Sequence, residues 1–87
     1  MGLAAYAGPV LHVEFTVEPF VEGRPGQHVL AAVRAVEALG IVVDFGPFGS
    51  SFDVAVADAG RSVQALLDAS YANGATHVSV HSALVPG

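Results

Sequence analysis

The stretch Val10 to Pro19, VLHVEFTVEP, has two chemically different faces over nearly its whole length. In an extended chain successive side chains point to opposite sides, so Leu11, Val13, Phe15 and Val17 share one face and His12, Glu14, Thr16 and Glu18 the other. One face demands a core. The other sets ionisable and hydrogen-bonding groups in a row, which restricts the chain to folds where a strand lies between a packed layer and an open surface.

The elements that follow can be placed from their punctuation. Phe20 to Gly26 reads as a loop, with Pro25 placed to begin a helix, and Val29, Ala32, Val33, Val36 and Leu39 recur at helical spacing over Gln27 to Leu39, stopped by Gly40. The outer face of that helix offers His28, Arg34 and Glu37, read as solvated. Ile41 to Phe45 is short and β-branched, the turn Gly46 to Ser50 follows, and Ser51 to Ala57 alternates, which makes a hairpin. Asp58 is the expected cap of a second helix, with Val63, Leu66, Leu67, Ser70 and Tyr71 as its buried stripe and Asn73-Gly74 as its end. Thr76 to Leu84 alternates again, Val78 and Val80 against His77, Ser79 and His81.

The order is β-α-β-β-α-β, and each β-α-β unit is long enough for a right-handed crossover. That order predicts one domain over residues 1–87, an α+β ferredoxin-like sandwich. It has a four-stranded antiparallel sheet with the first and third strands central and both helices on one face. Phe15, Phe45, Phe52 and Tyr71 are expected in its core. Following chain direction gathers Glu18, Phe20, Gln27, Phe48, Ser50, Ser51, Tyr71, Asn73 and His77 at one edge, where loops meet the open face and where a small-molecule site is expected.

Composition narrows the partners. The formal charge is −5 with three arginines and no lysine, so nothing here forms the basic footprint that phosphate backbones require, and a small cationic ligand is the electrostatic complement. Hydrophobic residues are 53% of the chain and charged ones 13%, apolar enough for so short a chain that part of its surface is expected to be covered by another copy. There is no cysteine, which excludes disulfides and thiolate chemistry. No segment reaches the ~18 uninterrupted apolar residues of a membrane span and the N-terminal run lacks a positive region, so the expected setting is cytoplasmic with no membrane partner.

Three motifs then carry a resemblance. Glu14-Phe15-Thr16-Val17-Glu18-Pro19, the hairpin Pro47-Phe48-Gly49-Ser50, and the final strand from Gly74 through Val78 resemble, in order and spacing from Val10 to Val85, the small thiamine/hydroxymethylpyrimidine-binding family, YkoF-like. The resemblance implies a ferredoxin-like fold, assembly into dimers or tetramers, and binding of thiamine or its pyrimidine moiety without catalysis or resident cofactor. For such a ligand, Glu14 or Glu18 would accept from an exocyclic amine, Ser50 or Ser51 would bond a ring nitrogen, and Phe20 or Phe48 would lie against a ring. Thr16 and His77 complete the candidate ligand-binding set. A cation over an aromatic face contributes about 0.5 to 2 kcal/mol. Phe48 stands where such hairpins usually carry methionine, and Phe52-Asp53-Val54 replaces an acidic Glu-Gly pair, departures that bear on ligand identity more than on fold.

Other readings stand beside this one. The alternative is a structural or regulatory assembly module that uses the open face to meet another subunit and binds no ligand. His12 and Glu14 with His77 or His81 offer metal ligands, although the two latter histidines lie about 13 Å apart along a strand and so cannot share an ion. Glu14 with Glu18 or Asp53 is a carboxylate pair, but no nucleophile with a poised base accompanies it, and the chain is not expected to be an enzyme.

Overall fold

A computed structural model describes residues 8–19, 26–46 and 49–86. The elements run β1 (Val10–Glu18), α1 (Gln27–Glu37), β2 (Asp44–Phe45), β3 (Ser50–Ala55), α2 (Val56–Ala72) and β4 (His77–Leu84). The strands form one antiparallel sheet in the order β2-β3-β1-β4, and the two helices pack on each other and lie over β1 and β3. This is the ferredoxin-like α+β arrangement, with β1 and β3 central.

The alternation in β1 does what its chemistry requires. Val13, Phe15 and Val17 are buried, as are Phe52 and Val54 of β3, Ala32, Val33 and Val36 of α1, and Leu66 of α2; together with Ile41 they make the core. The rings of Phe15 and Phe52, diagonal neighbours on adjacent strands, stand 6.0 Å apart and tilted by 59°, a favourable edge-on relationship. Burial of one such large apolar side chain stabilises by roughly 1.5 to 3 kcal/mol.

Helix ends follow the expected glycine logic at α1, where Gly40 adopts φ 85° and its N–H donates to the carbonyl of Glu37. Gly74, with φ 100°, follows the last turn of α2, whose Asn73 side-chain amide donates to the carbonyl of Ala69. The start of α2 differs from expectation. The helix begins at Val56 after Ala55, with no side-chain cap, and Asp58 lies within the first turn, where its carboxylate complements the positive helix end. Val56 instead anchors the junction by donating its N–H to the carbonyl of Pro9, so the β3 ladder runs directly into the helix.

Other expectations are corrected as well. The second strand is two residues, not five: Ile41 turns into the core while Val42 is 82% exposed, so its β-branched run serves to plug the core and not to pair. His28 is buried, not solvated, and its Nε2 lies 2.6 Å from the carbonyl of Pro19, tying the first turn of α1 to the end of β1. The stripe of α2 that is fully buried is Ser62, Leu66 and Ser70, spaced four apart. Both hydroxyls are satisfied by carbonyls of their own helix, Ala59 and Leu66. Tyr71 and Phe45, expected in the core, are 52% and 43% exposed: Tyr71 lies off the buried Ser62, Leu66 and Ser70 stripe of α2, and Phe45 lies in the edge strand β2. Pro25 lies outside the described residues.

Candidate site on the open sheet face

Pairing register decides what shares the uncovered face. Asp44 lies opposite Ser51, Ser51 opposite Glu14, and Glu14 opposite His81, so four strands contribute one transverse row of polar residues. Strands sit about 4.8 Å apart, close enough for neighbours in such a row to act on one small molecule. The next row pairs Thr16 with Ser79, and beyond Thr16 the hairpin glycines Gly46 and Gly49 complete the rim. These residues border an open concavity of about 400 Å³, within the usual range of small-molecule sites.

The hairpin that closes one end is tight. The N–H of Gly46 donates to the carbonyl of Gly49 at 2.9 Å, and a Cβ built on Gly46 would stand 2.7 Å from that same oxygen, so a side chain at 46 would force the turn apart. A Cβ on Gly49 would reach 3.3 Å from the Thr16 methyl. The glycines thus hold the concavity open where its floor meets the loop.

A second polar row lies behind Glu14. The His12 Nδ1 is 2.7 Å from an Asp53 carboxylate oxygen, and its Nε2 is 3.5 Å from Glu14. The hydrogen bond with Asp53 raises the His12 pKa above the ordinary imidazole value; partial burial opposes this, and the charges of Asp53 and Glu14 add to it. Among the described residues no group of three or more histidines and carboxylates is placed to hold a metal ion, since Asp53 and Glu14 approach opposite nitrogens of one ring.

The residues expected from sequence divide into four groups. Glu14, Thr16 and Ser51 come together at the concavity. Ser50 borders it but belongs to the core-facing set of β3 and is 5% exposed, so its hydroxyl is not presented to the open face. Glu18 and His77 sit one row further along, at the sheet edge, with the His77 Nδ1 3.9 Å from a Glu18 carboxylate oxygen, outside the concavity. Phe20 and Phe48 lie outside the described residues.

The sequence reading leaves Asp44 out of the site and gives Ser79 and His81 only as polar members of the last strand, His81 also as a metal-ligand candidate. Their position follows only once the register between strands is known.

Fold and site together define a ferredoxin-like α+β domain with an acidic, hydroxyl-rich concavity on the face its helices leave bare. The chain is similar in structure to a domain of unknown function, DUF77, from Bacillus cereus, with a TM-score of 0.53 and 15% sequence identity over 90% of this chain and 76% of that one. That likeness is one of fold. No family model and no curated protein matches the chain. Among the described residues no helix is long and apolar enough to cross a membrane.

Proposed function

We propose that this protein binds a small cationic amine of the thiamine or aminopyrimidine class in the concavity on its open sheet face, as a non-enzymatic cytoplasmic homo-oligomer. One observation carries the reading: Glu14 and Asp44 flank the hydroxyls of Thr16, Ser51 and Ser79 around one concavity, with no lysine or arginine among the described residues bordering it. Carboxylates accept from an exocyclic amine and complement a ring cation, and hydroxyls either donate to or accept from ring nitrogens. The same charge disfavours phosphorylated forms, because an anionic tail meets Glu14 and Asp44 without a compensating base.

Calorimetric titration with thiamine, thiamine diphosphate and hydroxymethylpyrimidine tests the proposal. Micromolar binding of thiamine, weaker binding of the diphosphate, and loss of heat in Glu14→Gln are expected. Absence of heat with all three ligands in a folded protein would leave the assembly reading.

A further inference from the structure

Glu14 belongs to two neighbourhoods at once. It borders the concavity, and its carboxylate lies 3.5 Å from the Nε2 of His12, whose other ring nitrogen is held 2.7 Å from Asp53. His12 and Asp53 do not line the concavity; as partners on β1 and β3 they form the row behind it. A ring outside the site is thus set against one of the two carboxylates that define it.

The hydrogen bond with Asp53 decides what that ring presents. An ionised carboxylate only accepts, so the neutral imidazole keeps its one proton on Nδ1 for Asp53 and turns a bare Nε2 toward Glu14. A lone pair facing a carboxylate gives no attraction. Protonation places a second N–H on Nε2, and the ring then holds Glu14 as well as Asp53, by charge and by hydrogen bonding. The two states differ by one proton and need no movement of the backbone.

Few other charged groups face this pair. On the open face β4 sets Ala83 opposite His12 and His81 opposite Glu14, while β2 brings Asp44 into the Glu14 row through Ser51. No lysine or arginine among the described residues borders the concavity, and both helices lie over the buried face of β1. His12 is within ion-pair reach of Glu14, and His81 is the second titrating group whose effect has to be separated from it.

We infer that His12 is a proton-operated competitor for Glu14: protonated, it occupies the carboxylate and repels a cationic ligand, and deprotonated, it releases Glu14 to bind one. This rests on the amine-binding function proposed above and names the regulation of that site by pH. His12 is a positioning residue, acting through Glu14. Its hydrogen bond with Asp53 moves the change of state upward from the ordinary imidazole value of about 6.5, so cation affinity is low below the raised midpoint and increases as pH climbs through it.

Calorimetric titration with thiamine, whose thiazolium charge is permanent, reads the effect. His12 and Glu14 are 45% and 63% exposed, so binding in low salt should be only roughly two- to fivefold tighter at about pH 8.5 than at about pH 6. His12→Gln should abolish that ratio, and His81→Gln, whatever its own affinity, should keep it. Linkage is reciprocal, so saturating thiamine should lower the His12 midpoint in an NMR titration by about 0.3 to 0.7 on the pH scale. Without ligand, Glu14→Gln should lower the same midpoint.

Thiamine binding with equal affinity at both pH values overturns the inference and leaves the proposed function standing. A ratio that persists in His12→Gln or vanishes in His81→Gln also overturns it, because the pH dependence then belongs to another group. So does a His12 midpoint unaltered in Glu14→Gln, a coupling measured with no ligand present. No heat with thiamine at either pH overturns the proposed function and the competition together.

Discussion

His12 of β1 and Asp53 of β3 are register partners on the open face, joined by a 2.7 Å hydrogen bond through the His12 Nδ1. Glu14 approaches the opposite ring nitrogen at 3.5 Å, so the imidazole lies between two carboxylates. That placement favours the protonated ring in the folded state.

The consequence for pH has a definite sign. A histidine pKa raised on folding stabilises the native state fully below the unfolded value near 6.5, and that contribution is lost as pH rises through the higher folded value. Asp53→Asn should thus cost more stability at pH 5.5 than at pH 8.5. An NMR titration should find the His12 midpoint above 6.5 in the wild type and lower in the variant. Because the His12 ring is 45% exposed, solvent screens the pair and the stability change should be small. An unshifted midpoint would show that the pair does not form in solution.

Core burial separates residues of similar type. Leu66 has no exposed surface and lies where α2 meets the core, whereas Val42 is 82% exposed. Leu66→Ala should cost about 2–5 kcal/mol, and Val42→Ala within about 0.5 kcal/mol. For a domain of this size each kcal/mol shifts the melting temperature by about 4–8 °C, so thermal unfolding resolves the contrast. Equal shifts for the two variants would contradict the described core.

The hairpin glycine links stability to binding. Gly46→Ala places a methyl carbon 2.7 Å from the carbonyl of Gly49, and relieving that overlap costs about 1–3 kcal/mol and displaces the rim of the concavity. Calorimetry of Gly46→Ala should show weaker amine binding in a protein that still folds, while Gly60→Ala, where a Cβ meets nothing within 4 Å in the second turn of α2, should bind as the wild type does. Undiminished binding in Gly46→Ala would place the ligand elsewhere.

The topology was legible because each element carries its own period. β1 alternates cleanly, Gly40 and Gly74 sit where left-handed backbone ends the helices, and the central position of β1 and β3 follows from the order of elements. Local patterns misled where a residue serves two masters. Val54 and Val56 continue one alternating run, and the N–H of Val56 still makes the next ladder bond to the carbonyl of Pro9, yet the chain has already turned helical at Val56. His28 reads as a surface residue because the apolar stripe of α1 leaves it on the outer face with Arg34 and Glu37, but the carbonyl of Pro19 at the end of β1 meets its ring.

The site was legible only along each strand. Glu14 and Thr16 were found from their own alternation and Ser51 from its place at the loop edge, whereas Asp44 joins them through two successive pairings that no single stretch records. Ser50 shows the opposite error. Its neighbour in sequence faces the concavity, and one residue of phase turns it into the core.

The two faces of β1 answer to different physical demands at single-residue intervals. A scan of every substitution along Val13 to Val17 would read as a comb, with teeth at 13, 15 and 17 set by folding and gaps at 14 and 16 set only by what the open face holds. Under the proposed function, ligand preference can therefore change at 14 and 16 while the buried set at 13, 15 and 17 keeps the scaffold.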